Sequence, residues 1–332
     1  MVTSRDVARL AGVSQPTVSR ALRDDPKVSE ATKRQVREAA TALGYAPNAI
    51  GRALSLGRSS RVGLVVTDLR NQFYTYVIAP MHDELAKAGY ELVLITESSE
   101  SAPVTEHIVA NGLAGVVLAT TTTDSILPVR LNDRRVPFVY FNRTARNVPA
   151  DSVVVDPEPG MAALIDDVVS RGHRRVGAVF GAEDTSTGQV REAVLRRLLL
   201  AEGVMLAERD VRYGPFDLEA GYAAAVELLD QPDPPTLIIC ANDVVAIGVL
   251  NAAAERGVAV PAELSVVGFD DLPIAGFAMV QLSTIAYDLD AMSRQAARLL
   301  VARVENPDIG PARAVVFPST YVSRSTLGPA RS

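Results

Sequence analysis

Cysteine occurs once in the 332 residues, histidine three times and tryptophan not at all. The lone Cys240 excludes an intramolecular disulfide and suits a reducing compartment. His82, His107 and His173 are scattered, none at a ligand-like spacing from Cys240, so no metal site is expected. No apolar run approaches the ~20 residues a membrane span requires. The polar start carries no basic-then-apolar leader, and the expectation is a cytoplasmic chain. Also missing are a G-x-S-x-G elbow, a P-loop, an H-E-x-x-H pair and a glycine-rich dinucleotide fingerprint. Neither catalysis nor a cofactor is expected.

What is present is unevenly placed. Net charge is −6, which on its face argues against a nucleic-acid partner. Residues 1–60, however, hold ten Lys/Arg and five Asp/Glu, a local +5, whereas the rest of the chain carries −11. A basic head on an acidic body suggests a phosphate-binding module joined to a part that avoids phosphate. The length itself calls for two or three domains.

In the head, Val7, Leu10 and Ala11 follow helical spacing, with Thr3 or Ser4 as cap and Asp6 in the first turn. Gly12 suits a tight turn. In "VSQPTVSRAL" a proline falls where a helix interior would reject it, unless Ser14 is the N-cap. Gln15 and Pro16 then occupy the first turn, whose N–H groups have no intrahelical partner. Val18 and Leu22 face inward, leaving Gln15, Thr17, Ser19, Arg20 and Arg23 outside. The spacing of Ala8, Gly12 and Val18 fits a helix–turn–helix, with a third helix from Ser29 to a stop at Gly44. A plain three-helix bundle is the competing reading. The positive excess and the short polar residues at the second helix's start favour DNA.

From Val62 the pattern becomes strand and helix in alternation: "RVGLVVT", "ELVLIT", "GVVLAT", "FVYFN", then after Asp156 "VGAVFG", "TLIICAND" and "LSVVGFD" with helical stretches between. Such units build parallel sheets with helices on both faces.

The run "DVARLAGVSQPTVSRAL" and the following "VSEATKRQVREAATALGYAPNAIGRALSLGRS" resemble the DNA-binding head of LacI-family transcription regulators. The resemblance continues through "VGLVVTDLRNQFY", "FNR", "DSVVVD", "GHRRVGAVFG", "STGQVR", "ANDVVAIG" and "SVVGFDDLP", nearly the whole chain. It implies a helix–turn–helix domain over 1–46, a hinge helix within 47–60, and an effector-binding and dimerisation domain over 61–332. That last part would be two α/β subdomains like periplasmic binding proteins, one of about 61–157 and 291–318, the other of about 158–290 and 319–328.

It further implies that Gln15, Pro16 and Arg20 read base edges, that Thr17, Ser19 and Asn48 position phosphates, and that Ser14, the cap, belongs to the same DNA-binding set. Pro16 could do so only by apolar contact. Leu54 matches a leucine that wedges into the minor groove. Effector positions at the strands' carboxyl ends are Phe73, Tyr74, Asn142, Arg143, Arg191, Phe216, Asp217, Asn242 and Asp270. Planar Asp, Asn and Arg groups with aromatic faces suit a sugar, and Arg191 could pair with Asp270. Departures from the family pattern are Gln189, where Arg is frequent, Ala286-Tyr287-Asp288 at a crossover, and a short "ESSESAPVTEHIVANGLAG". The expectation is a dimeric, operator-binding repressor under small-molecule control. Its rivals are a regulator governed by a protein co-effector or by none, and a sugar-transport protein. No C-terminal heptad argues for a helix-tethered tetramer.

Overall fold

A computed structural model describes residues 2–22, 25–45, 59–67, 69, 71–96 and 104–331. The expected hinge helix, with Asn48 and Leu54, lies outside the described residues, as does Arg23. The chain divides into two units, Met1–Ser60 and Arg61–Ser332.

The first unit holds α1 (Ser4–Leu10), α2 (Gln15–Ala21) and α3 (Glu30–Ala42). Thr3 caps α1, its N–H and Oγ1 both donating to the Asp6 carboxylate at 3.0 and 2.7 Å. Ser14 caps α2, its Oγ accepting from Thr17 N at 3.3 Å, so Pro16 occupies the donor-free first turn. Gly12 supplies the positive φ (60°) that turns α1 into α2. Val7, Ala8, Ala11, Val18, Ala21, Val36, Ala39 and Ala40 form the core; their small side chains let three short helices approach closely.

The second unit contains two six-stranded sheets. Sheet one comprises β1 (Arg61–Val66), β2 (Glu91–Thr96), β3 (Gly115–Leu118), β4 (Phe138–Phe141), β5 (Asp151–Asp156) and β11 (Ala314–Pro318). Their order is β11-β5-β4-β3-β1-β2, every pair parallel. Sheet two comprises β6 (Val176–Phe180), β7 (Val211–Tyr213), β8 (Leu237–Cys240), β9 (Ser265–Asp270), β10 (Ser283–Ala286) and β12 (Thr320–Val322). Here the order is β12-β10-β9-β8-β6-β7, and only β12 runs antiparallel.

The central strands are covered on both faces, which is why they read as continuous apolar runs, whereas the edge strands β2 and β11 stay partly exposed. In β1, Val62, Leu64 and Val66 pack beneath α4 (Gln72–Lys87) and α11 (Leu289–Glu305). Val65 points the other way, toward α5 (Val104–Ala110) and α6 (Leu127–Asp133). Sheet two is sandwiched between α7 (Glu158–Ser170) with α8 (Ser186–Ala201) and α9 (Leu218–Leu229) with α10 (Asp243–Glu255). Helices α9 and α10 touch backbone to backbone: a Cβ on Gly248 would overlap the Leu218 carbonyl, and one on Gly221 the Val245 carbonyl.

The chain passes between the two lobes at residues 156–158, 286–289 and 318–320. In each sheet the first strand laid down is flanked by one strand from each direction of winding, so the order reverses between β1 and β3 and between β6 and β8. Such reversal points open a crevice at the strands' carboxyl ends, and the two crevices face one another across the gap between lobes.

Candidate functional site

The gap is lined by Asn71, Phe73, Tyr74, Ala119, Asn142, Arg143, Thr187, Arg191, Phe216, Asn242 and Asp270. At its centre Arg191, buried on α8, donates from Nη2 to Asp270 Oδ1 at 3.3 Å and from Nη1 to the Ala241 carbonyl at 2.5 Å. Its guanidinium lies 3.6 Å from the centroid of the Phe269 ring, a cation–π contact strengthened by removal from water. Tyr287 donates its hydroxyl to the same Asp270 oxygen at 3.0 Å. A second guanidinium, Arg143, sits 4.6 Å from the Phe216 ring centroid. That ring rests on Gly181, where a Cβ would occupy the ring's place.

Burial dominates the electrostatics. It raises Asp270 to about 6 even with Arg191, Tyr287 and Arg143 beside it. It also lifts Asp243 well above the carboxylate range, with Asp270 and Asp271 adding to the effect. Asp243 accepts from Thr284 Oγ1 at 2.6 Å and from Leu272 N at 2.7 Å. Burial raises the Tyr287 phenol and lowers the Arg143 guanidinium. Three non-glycine residues at the strand ends hold positive φ: Asn142 (63°), Asp270 (114°) and Asp271 (50°). Strain of this kind persists where the surrounding structure over-determines a functional geometry.

Two polar atoms in the gap are buried without a hydrogen-bond partner, Asn142 Oδ1 and Thr187 Oγ1. Orphaned polar groups cost free energy unless something bonds them, so both mark where a ligand's polar groups would settle. Among the described residues, hydrogen bonds that span the lobes around them include Asn71 Nδ2 to Phe216 O (2.9 Å), Thr123 N to Asp184 O (2.7 Å), Thr144 N to Ser186 Oγ (2.9 Å) and Arg146 Nη2 to Gln189 Oε1 (2.8 Å).

Of the nine residues expected in the gap, eight line it. Asp217 does not: its Oδ1 accepts from Ala220 N at 2.8 Å and serves as the N-cap of α9. Asn242 combines both tasks, its Oδ1 capping α10 through Val245 N while its amide donors remain for other use. Phe73 belongs to the lobe-one core as well as to the wall, edge-on to Tyr74. Asn71 and Thr187 were not expected. Thr187 had a signal: "STGQVR" opens α8, so Thr187 and Arg191, four apart, share one helix face. Asn71 had less, because its amide reaches a carbonyl 145 residues away.

In the head, Gln15, Pro16, Ser19 and Arg20 are exposed on α2, with Ser14 exposed and Thr17 half-buried at its start. Gln15 Nε2 donates to Ser4 Oγ at 2.8 Å, and Ser14 Oγ lies 2.8 Å from Thr17 Oγ1.

A capped helix–turn–helix joined to two parallel-sheet lobes around a polar crevice defines a ligand-binding DNA-binding protein. Residues 3–48 match the family model of bacterial regulatory proteins of the lacI family, and residues 165–327 match that of the periplasmic binding protein-like domain. The chain is 32% identical to the HTH-type transcriptional regulator CelR of Thermobifida fusca, covering 96% of each. It is 30% identical to the HTH-type transcriptional repressor CytR of Escherichia coli (strain K12), covering 93% of this chain and 91% of that one. A solved CelR–cellobiose complex superposes with a TM-score of 0.73 at 30% identity, over 98% of this chain and 100% of that one. The lac repressor dimer bound to operator and the anti-inducer ONPF shares the fold, with a TM-score of 0.83 at 23% identity over 98% of each chain. The chain belongs to the LacI family of transcription regulators: it binds DNA and acts on transcription.

Proposed function

We propose that this regulator is a homodimeric repressor released from, or driven to, its operator by a sugar-class effector bound between the lobes. One observation carries the reading: a buried Arg191–Asp270 pair beside two orphaned polar atoms, Asn142 Oδ1 and Thr187 Oγ1, with the Phe216 ring also lining the gap. Vicinal hydroxyls both donate and accept, so they can bond the carboxylate, the amide oxygen, the threonine hydroxyl and the guanidinium together. An aromatic face covers a sugar's C–H side. The named complex of CelR with cellobiose supports the same ligand class.

The centre of the gap has room for only about 20 Å³, the space of a single water. A sugar ring therefore favours a wider lobe arrangement than this one. That difference in affinity between arrangements is what a ligand needs in order to shift an equilibrium. We read the cleft as binding rather than catalytic, because its carboxylate is occupied by a guanidinium and a phenol. No helix among the described residues is long and apolar enough to cross a membrane. The reading places the protein in the cytoplasm, beside the DNA it binds.

On DNA, Gln15, Pro16 and Arg20 read base edges, Thr17, Ser19 and Asn48 hold phosphates, Ser14 caps the helix at the DNA-binding surface, and Leu54 wedges into the minor groove. Fluorescence anisotropy on upstream DNA, with and without a panel of free pentoses and hexoses, tests the proposal. The expected result is steep salt dependence, a change in affinity with at least one sugar, and loss of that response in Arg191→Ala. If no sugar alters DNA affinity or melting temperature, effector control by sugars is overturned.

A further inference from the structure

Sheet one has a second concavity, at the end opposite the crevice. Its volume is about 450 Å³, within the range for small-molecule sites. The walls are the turns that lead into β4, β5 and β11, together with the C-terminal ends of α6 and α11. The three strands are parallel, so these turns share the sheet's entering edge, whereas the crevice lies at the carboxyl edge. Along β5 the run from Asp151 to Asp156 separates the two, roughly 15 Å at about 3.3 Å per residue. No residue lines both.

Proline keeps this cavity open. Pro137 precedes β4, Pro149 precedes β5, and Pro307 stands between α11 and β11. Each fixes its own φ and presents no N–H, so the wall they form is stiff and asks for no hydrogen-bond partner. Val136, Phe138, Ala150 and Ala312 extend the apolar lining. On the buried side the charges are already matched. Asp151 accepts from Arg303 Nε (3.1 Å) and Nη2 (2.9 Å) and from Arg313 N (2.7 Å) and Nη2 (3.2 Å). Arg303 also donates from Nη1 to the Gly310 carbonyl at 2.9 Å. The mouth is different. Asn132, Arg135 and Asp308 line it and are exposed, and among the described residues their side chains enter no hydrogen bond or ion pair. Arg135 and Asp308, of opposite sign on one rim, do not pair with each other. Arg135 is held at a φ of 54°, its N–H donating to Asn132 O at 3.0 Å, which fixes those two relative to one another.

We infer that this cavity binds a small zwitterion of the amino-acid class that carries an apolar side chain. The ligand's carboxylate meets the Arg135 fork, which can give it two parallel hydrogen bonds. Its ammonium meets Asp308, with the Asn132 amide oxygen as a further acceptor. Its side chain covers the proline-walled surface, and that burial supplies most of the affinity, because exposed ion pairs add little. A purely anionic ligand would face Asp308, and a purely cationic one would face Arg135. An uncharged one would leave both unmatched. The site is independent of the crevice and of what binds there.

Isothermal titration of the full-length protein tests this with L-phenylalanine, L-leucine and L-methionine, each beside its amide and its N-acetyl derivative, and with glycine. At least one of the three apolar amino acids is expected to bind at up to millimolar concentration, with glycine weaker on the order of tenfold or more. Removing either ligand charge should weaken binding roughly fivefold or more. Asp308→Asn should abolish the preference for the amino acid over its N-acetyl derivative. Arg135→Asn, which places a residue tolerant of positive φ there, should abolish the preference over the amide. Both variants should keep the parent's melting temperature without ligand, since both positions are exposed. Arg191→Ala, in the crevice, should leave every affinity within about twofold. Overturning results are no binding by any of the three, glycine binding equally well, indifference to either ligand charge, or a charge preference that survives its substitution. Loss of binding in Arg191→Ala would place the ligand in the crevice and overturn the inference as well.

Discussion

Asp270 carries the most exposed consequence of burial in this protein. Its carboxyl titrates at about 6, against an ordinary value of 3.8, because desolvation outweighs the help of Arg191 and Tyr287. The folded state thus holds that proton more tightly than the unfolded chain does. Asp270's contribution to stability is fully favourable below the unfolded value and is lost as pH rises through about 6. Asp270→Asn should flatten the melting temperature between about pH 4.5 and about pH 7.5 relative to the parent. The flattening will be partial, since Asp243 shifts in the same direction. Parallel melting curves for the two proteins would show that Asp270 ionises normally. Pro16 gives a second residue-scale test. It is exposed in the first turn of α2, where no N–H is needed. Pro16→Thr should leave the head folded while changing which operator is preferred in a selection from randomised DNA. A collapse in circular dichroism with unchanged preference would contradict a recognition role at that position.

Among the elements, α8 and the α9–α10 pair do most to shape the crevice. Helix α8 begins at Ser186, several residues before the apolar stretch "EAVLRRLLLAEG" that announces it in the sequence. The early start places Thr187 and Arg191 on one face. It is set by the Thr185 hydroxyl, which accepts from Gly188 N at 3.2 Å. Helix α10, capped by Asn242, holds the Asn242 side chain in the gap by its packing on α9. Gly248 allows that packing. Gly248→Ala pushes a methyl into the Leu218 carbonyl, and a loss of about 1–3 kcal/mol is expected. Urea denaturation of the full chain reads this directly; an unchanged midpoint would show that the helices can separate without cost. Tyr287, Asp288 and Gln189 do their work between elements. Tyr287 bonds Asp270, Asp288 caps α11 through Ala291 N at 2.8 Å, and Gln189 bonds Arg146 across the lobes.

At the scale of the molecule, the balance between lobe arrangements governs the response to a ligand. Arg146–Gln189 is the one lobe-spanning bond among the four made by two side chains. Arg146→Ala removes it without touching the gap's lining, so the wider arrangement gains population. The apparent affinity for a sugar effector should then rise several-fold, in proportion to the competent fraction, as read by titration calorimetry. Unchanged or weaker affinity would mean that the effector prefers the narrower arrangement.

By itself the amino-acid sequence determined what is local. Ser14, Pro16 and Gly12 specify the start of α2, apolar periodicity specifies the alternation of strands and helices, and the uneven charge separates a basic head from an acidic body. Eight of the nine expected residues line the gap; Asn142, Asn242 and Asp270 stand at or just past strand ends, where chain direction delivers side chains to the crevice, whereas Arg191 is brought there by α8. Asp217 stands outside the gap's lining for a local reason: one residue before α9, its carboxylate serves as the helix cap. Only the tertiary structure decided the rest. The Asn71–Phe216 bond, the stacking of Arg191 on Phe269 and the pairing of β5 with β11 join residues 78 to more than 150 positions apart. Burial, which moves Asp270 to about 6, is likewise a property of the packed whole. No window of sequence contains the neighbours that exclude water from a side chain, so the site's chemistry arises when the lobes fold and meet.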